Sequence, residues 1–510
     1  MKRGMMQVSI RNKSFWTNVL CLIAICAGIF FSYRVFYKYH THLPQGCDEF
    51  GYLFMAKALW DGKLFEDHTL RPFAPQLIEF LRKSSFPLKT YQYVICPHAY
   101  HLDSKTFKII NQYPPGTSLL LALAPLPFRQ AGFVLFCWIL FAVILMAAFY
   151  IEPSFSWKTS ALWIGFYVLL FTFLEPVKIE LQRVNSLAPT FGALIASGFL
   201  LKRRPAFSLF LLGFSCLFRI SNVIFFVPFL CFYLGRTWER VKGLRWLLAG
   251  SVKGAALLLA GGLGLYFVYV YLLLGNPFAS TYAYSDQKWT GSLAAFSLNL
   301  PFYLKGPWFM VHVLFLLGFG IFVLKFKSGF REWIYAIALS LYNYAFCLFH
   351  EIRNPYYPYA SAMIVFGMLM RLIDERMDKK SRVWSWVLSA MTLIFLAGPF
   401  FLSPTLNAGK SFIRDCRIYQ DCFGKYDVVW AFERSGTIEY TTGKAAFRYY
   451  WRKSDLTKEI TLWLRQKGFK QAFWIEDINR PLNEVEAELK SWGIPYQVIT
   501  YPGFGKIVEF

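Results

Sequence analysis

GCDEFGYLFMAKALWDGKLF, residues 46–65, sets an adjacent carboxylate pair, Asp48 and Glu49, just beyond an apolar run from Phe15 to Phe36. That run is long enough to cross a bilayer. The stretch after it has the pattern of an amphipathic helix lying at the membrane surface, so the pair faces the boundary from outside. Working outward, the chain has 510 residues, is 56% hydrophobic and 20% aromatic, and contains many further apolar runs that approach bilayer length. This composition excludes a soluble enzyme and predicts an all-α polytopic membrane bundle. The formal charge of +24 does not point to nucleic acid, because the basic residues fall in short clusters between apolar runs, as in cytoplasmic loops.

The basic clusters Lys2 to Lys13, Lys202 to Arg204, Arg236 to Arg245, Lys325 to Arg331 and Arg371 to Arg382 are assigned to the inside. They fix the parity of about eleven spans, near 15–37, 131–151, 160–175, 186–201, 205–220, 222–235, 246–274, 307–325, 332–349, 356–371 and 383–403. The first is a retained signal anchor, since it lacks a small-residue cleavage site. The N-terminus is then cytoplasmic and the C-terminus extracytoplasmic. Leu119 to Phe128, hemmed by Pro114 and Pro115 before it and broken by Pro125 and Pro127, is too short to cross and is expected to be re-entrant or interfacial.

The expected organisation is a membrane domain over 1–403 and a soluble extracytoplasmic α/β domain over 404–510. Within the first, residues 38–128 form a large first outer loop with interfacial helices, and 275–306 a second outer loop rich in Tyr, Trp, Ser and Asn. In the last region YDVVWAF, QAFWIED and YQVITY have strand patterns, while LTKEITLWLRQKG and NEVEAELKSWG have helix patterns closed by Gly468 and Gly493. This alternation predicts a partly parallel sheet. The string NAGKS at 407–411 lacks the first glycine of a phosphate-binding loop and is not one. Ten cysteines are scattered without a C-x-x-C pair; Cys47 with Cys96, or Cys416 with Cys422, have the compartment to form a disulfide.

A carboxylate at a membrane interface can serve as a general base or hold a metal, and Glu49 beside Asp48 projects differently and can pair with a cation. The pair equally suits a helix start, where acids meet free N–H groups and the helix dipole. Arg183, Arg219, Lys305, His350 and Arg353 stand at outer ends of spans, a set suited to a lipid-linked phosphate. Each taken singly also fits a snorkelling side chain. His350, Glu351 and Arg353 precede a Pro-Tyr run and form a polar knot between two spans. Tyr113, Pro114, Pro115 and Gly116 make a rigid turn. His98, His101 and Asp103 show no recognisable metal-ligand spacing, so no metal site is assigned, although a divalent metal is compatible with the loop.

The order of these pieces resembles the GT-C superfamily of membrane glycosyltransferases, which includes the protein O-mannosyltransferases and the lipid A aminoarabinose transferase. Residues 46–65 look like its acidic motif after the first span, with the later Asp61-Gly62 turn. NQYPPGTSLLLAL, 111–123, looks like the segment that ends its first loop, and HEIRNPYYPYASAMIV, 350–365, like its late His-Glu-x-Arg-Tyr-x-x-Pro pattern, from which Asn354 and Pro355 depart in spacing. The resemblance covers most of residues 10–400. It implies inverting transfer of a sugar from a polyprenyl-phosphate donor to a glycan, lipid or protein acceptor at the extracytoplasmic face. Asp48 would be the base or acceptor-orienting group, and the five cations, Arg353 foremost, would bind the phosphate. Some members bind a divalent metal near the acidic motif and others do not.

Competing readings are a transporter or flippase of lipid-linked saccharides, for which no internal repeat is present, an O-antigen ligase or polymerase, whose long loop comes late, and a non-enzymatic scaffold. A bacterial plasma (inner) membrane is expected, with no retention signal at the end of the chain. The one small-residue stretch suited to close helix contact is AGGLGLY near Gly261.

Overall fold

The apolar runs of the sequence become helices in the computed structural model, which describes residues 46–63, 66–67, 74–84, 86, 92, 94–103, 108–124, 137, 184–238, 244–279, 281, 292–350, 357–377, 412–449, 454–478, 480–502 and 504–510. The expected spans at 15–37, 131–151 apart from Cys137, 160–175 and 383–403 lie outside these residues, as do Arg183, Arg353 and the NAGKS string. The outer loop begins with α1 (Cys47–Trp60), β1 (Glu66–Asp67), α2 (Ala74–Arg82), β2 (Tyr100–Leu102), β3 (Lys108–Asn111) and α3 (Gly116–Leu123). Its strands form an antiparallel sheet in the order β1-β3-β2.

α1 is not the surface helix that its sequence pattern suggests. Glu49, Phe50, Gly51, Tyr52, Leu53, Met55, Ala56 and Ala58 are all buried, which covers the helix nearly all round. Tyr100 and Asn111 of the small sheet bond to it from one side. α3 is tied to its end by the Trp60 indole, which donates to the Ala122 carbonyl at 3.2 Å. A helix that is apolar on every face belongs in an interior.

The bundle follows with α4 (Leu187–Leu200), α5 (Pro205–Phe218), a 3-10 turn (Ile220–Phe225), α6 (Phe226–Trp238), α7 (Leu244–Leu258), a π turn (Leu259–Leu263), α8 (Gly264–Leu274), α9 (Leu293–Leu304), α10 (Pro307–Phe326), α11 (Phe330–Leu348) and α12 (Tyr359–Met377). Every residue of α4 is buried, so it is the axis on which α5 and α12 pack. Among the described residues two helices are long and apolar enough to cross a membrane, the 29-residue Trp246–Leu274 and the 19-residue Trp308–Phe326. On α10, Met310, Leu314, Leu317, Ile321 and Leu324 form one exposed apolar stripe at helical spacing. Such a stripe suits lipid rather than water.

Several polar groups inside the bundle are paired. The His312 ring links α10 to Ser361 of α12 at 2.7 Å, and Asn343 of α11 donates to the same hydroxyl at 2.9 Å. At one end of the bundle Lys202 meets Glu332 and Glu375, both at 3.0 Å, and Glu375 also receives Arg203 and Arg371 at 3.3 Å. Residues from three of the basic clusters' neighbourhoods thus converge on one face.

The C-terminal region holds α13 (Phe412–Phe423), β4 (Val428–Ala431), α14 (Ser435–Thr442), β5 (Ala445–Arg448), α15 (Ser454–Gln466), β6 (Gln471–Trp474), α16 (Ile475–Ile478), α17 (Leu482–Ser491), β7 (Gln497–Tyr501) and β8 (Gly505–Glu509). The sheet order is β5-β4-β6-β8-β7, parallel across β5-β4-β6 and antiparallel from β6 through β8 to β7. Gly468 and Gly493 have positive φ after α15 and α17, as helix-ending glycines should. QAFWIED differs from expectation: the strand stops at Trp474 and the acidic end turns into α16. Cys47, Cys96 and Cys422 are all free thiols, so neither disulfide considered from the sequence forms.

Candidate active site

Asp48 and Glu49 both fall in the first turn of α1, whose N-cap, Gly46, has no side chain with which to cap. The two acids part at once. Glu49 is buried, 5% exposed, whereas Asp48 is half-buried. The Tyr113 hydroxyl donates to Asp48 Oδ1 at 2.5 Å, and the Cys47 thiol donates to the same oxygen at 3.3 Å.

Tyr113 is placed by the turn that the sequence marks. Asn111 donates from Nδ2 to the Gly51 carbonyl at 2.8 Å and accepts from the Tyr113 N–H at 3.0 Å, so one side chain locks the turn to α1. The Tyr100 hydroxyl reinforces the same carbonyl at 2.9 Å. A Cβ at Gly51 would lie 2.7 Å from the Tyr113 ring, so only glycine lets the phenol lie flat over the helix. Pro114 and Pro115 then carry the chain into α3, with Pro115 as its N-cap.

Arg219 ends α5 in an extended conformation and turns into the 3-10 segment. Its guanidinium donates to Ser186 at 3.4 Å and stands 5.6 Å from the Tyr357 ring centroid and 5.7 Å from that of Tyr359. Tyr357 lies within electrostatic reach of both Arg219 and Asp48. The His350 ring meets Tyr357 edge-on at 5.2 Å. Asn299 of α9 holds the His350 carbonyl at 2.7 Å and the Leu348 carbonyl at 2.9 Å. Arg219 and His350 therefore meet at Tyr357, and Asp48, bonded by Tyr113, lies within electrostatic reach of the same phenol.

Lys305, the C-cap of α9, is exposed, and no contact among the described residues joins it to this group. Arg183 and Arg353 lie outside the described residues. Tyr357 and Asn111 stood within the quoted motifs without being singled out. Ser186 and Asn299 carry no sequence signal, because only the packing of α4 on α5 and of α9 on α11 brings them in.

The C-terminal region reaches the same site. The His98 N–H donates to Ser435 Oγ at 2.8 Å, and the Phe432 ring packs on the His98 ring at 5.3 Å. Gly436 allows α14 to press on Phe50; a Cβ there would lie 2.1 Å from the ring. Glu433 Oε1 stands 3.5 Å from His98 Nδ1. Of the histidines considered from sequence, His101 is buried in β2, and burial pushes it down to about 3, which keeps it neutral. His98 alone joins other donor atoms: Cys47 Sγ, His98 Nδ1 and a Glu433 carboxylate oxygen lie within 4.8 Å of one another. Burial, with Asp48 and Glu433 alongside, pushes the Cys47 thiol well above its ordinary range.

No family model and no curated protein sequence matches the chain. Among solved structures, it is similar to ArnT from Cupriavidus metallidurans bound to undecaprenyl phosphate, with a TM-score of 0.51 and 10% identity over 97% of this chain and 98% of that one. It is similar also to the apo state of that protein, with a TM-score of 0.54 and 10% identity over 98% of each chain. The chain therefore has the fold of ArnT along nearly its whole length.

Proposed function

We propose that this chain is an integral membrane glycosyltransferase that moves a sugar from a polyprenyl-phosphate donor to an extracytoplasmic acceptor with inversion at the anomeric carbon. The observation that carries the reading is the Arg219 guanidinium 5.6 Å from the Tyr357 ring, with the Asp48 carboxylate also within electrostatic reach of Tyr357, in a fold shared with ArnT. ArnT's structure with undecaprenyl phosphate supports a polyprenyl-phosphate partner here.

In this mechanism the acceptor oxygen attacks the anomeric carbon while the bond from that carbon to the phosphate oxygen breaks. The electron pair leaves on the lipid phosphate, and Asp48 takes the acceptor proton. Arg219 and His350, with Arg183, Lys305 and Arg353 as further cations, stabilise the departing phosphate charge. Tyr113 orients Asp48, Pro114 and Pro115 stiffen the turn behind it, and Glu49 lies buried beneath.

The topology follows from charge. Lys202, Arg203 and Arg371 gather at the far end of α4, about 21 Å from Ser186 by helix rise. The C-terminal region packs at the Asp48 end. This supports a cytoplasmic basic face with an extracytoplasmic site and C-terminal domain; about eleven spans and a bacterial plasma membrane remain part of the proposal.

The test uses purified full-length chain in lipid with a panel of radiolabelled polyprenyl-phosphate sugars. One donor is turned over, and Asp48→Asn retains its binding while losing turnover by about 10²- to 10⁴-fold. A lipid-linked sugar that crosses the bilayer without turnover, equally in both forms, would establish a flippase instead.

A further inference from the structure

We infer that His312, acting with Ser361 and Asn343, is a positioning residue for Arg219, because the three fix the peptide between Tyr357 and Tyr359. The inference rests on the reading of Arg219 as a cation for the lipid-linked phosphate. The Arg219 guanidinium stands 5.6 Å from the Tyr357 ring centroid and 5.7 Å from that of Tyr359. Pro358 joins those two residues, so whatever holds its carbonyl sets both rings and, through them, the guanidinium.

The hold on Pro358 comes from neighbouring helices. Asn343 of α11 donates from Nδ2 to the Pro358 carbonyl at 3.2 Å and to Ser361 Oγ at 2.9 Å. His312 Nδ1 lies 2.8 Å from the Trp308 carbonyl, which can only accept, so Nδ1 carries the proton and Nε2 accepts from the Ser361 hydroxyl at 2.7 Å. Ser361 Oγ is also 3.2 Å from the Pro358 carbonyl, but its single proton goes to the shorter contact. Trp308 itself packs on Tyr359 with ring centroids 6.2 Å apart, and Phe191 of α4 meets the same ring at 5.1 Å. The start of α12 is thus held by α4, α10 and α11 together.

His312, Asn343 and Ser361 are all buried. Apolar side chains would fill the same volume without the cost of desolvating an imidazole and an amide. A satisfied polar network fixes one geometry in return. That matters for a group that must meet the charge collecting on a departing phosphate, since a misplacement of about 1 Å is enough to cost roughly 100-fold in rate.

The test is a double-mutant cycle between Ser361→Ala and Arg219→Ala in full-length chain in lipid, read by affinity for undecaprenyl phosphate and by kcat on the donor that turns over. Arg219→Ala weakens binding about 10- to 100-fold and Ser361→Ala about 3- to 10-fold, while the double variant falls no further than Arg219→Ala alone. The loss in kcat follows the same pattern. His312→Gln, whose amide oxygen can accept from Ser361, stays within about twofold of wild type, whereas His312→Ala follows Ser361→Ala. Where Ser361→Ala fails to fold, the two His312 variants combined with Arg219→Ala read the same coupling. Losses that add across the cycle overturn the inference and leave His312 as a link that only holds helices together. Coupled losses in affinity with no donor turned over keep the positioning role and sink the transferase reading instead. A wild type without affinity for undecaprenyl phosphate overturns both.

Discussion

Asp48 and Glu49 are neighbours of identical charge, yet one is buried in α1's packing and the other is turned to the site, where a phenol and a thiol donate to it. The sequence shows the pair but not this division, because which acid turns inward depends on where the small sheet lies against α1. Asn111 and Gly51 settle it, and both were in view only as parts of longer motifs. Replacing Tyr113 by Phe removes a hydrogen bond to a charged oxygen, worth about 1.5–3 kcal/mol, and should lower turnover about 10- to 100-fold while donor binding holds. Gly51→Ala should act through the same phenol, because the added methyl would sit 2.7 Å from its ring. Steady-state kinetics on the two variants would show comparable losses in kcat; a silent Tyr113→Phe would mean that the phenol does not orient Asp48.

Elements were the most legible scale, and their contacts the least. The expected spans that fall among the described residues are helices within a few positions of their expected ends, since long apolar runs leave little choice. What hydropathy could not supply is how closely the helices approach. Gly198 of α4 and Gly367 of α12 lie against each other's backbones: a Cβ on the first would meet the Ile364 carbonyl oxygen at 2.2 Å, and on the second the Ile195 carbonyl oxygen at 2.1 Å. Gly213 of α5 and Gly261 of the π turn repeat the arrangement, since a Cβ on either would lie 2.0 Å from a facing carbonyl oxygen, so AGGLGLY packs within the chain. Close backbone approach at small residues is how helices associate where lipid supplies no hydrophobic drive. Gly198→Ala and Gly367→Ala should each cost about 1–3 kcal/mol through overpacking. Thermal unfolding in detergent would register this, with the double variant costing less than the sum because one opened gap serves both; unchanged midpoints would refute the contact.

At the scale of the whole molecule, the C-terminal region meets α1 and His98 through the segment Phe432 to Gly436, which hangs on Asp477, and meets α2 through the stacked Phe80 and Trp463 rings. The strands of this region were mostly legible from alternation, whereas β5, β8 and α14 were not: β5 and β8 are short and flanked by turns, and α14 opens with Ser and Gly. The docking itself has no sequence signal, since His98 and Ser435 are 337 positions apart. Burial raises the Asp477 carboxyl to about 6, against the pull of the Phe432 and Arg434 N–H groups, which favour its charged form. A carboxyl whose folded value lies above its unfolded one stabilises most where both states are protonated. That contribution is present below the unfolded value, near 3.8, and is lost as pH rises through about 6. The loss amounts to about 3 kcal/mol for a shift of roughly two units. Asp477→Asn keeps an acceptor and removes the charge, so it should be more stable than wild type at about pH 7.5, with the advantage shrinking to nothing near pH 4. Comparing the two full-length proteins at each pH cancels the titration of every other carboxylate. An advantage that stays constant with pH, or grows on acidification, would mean that the two backbone donors outweigh burial and that Asp477 is charged throughout.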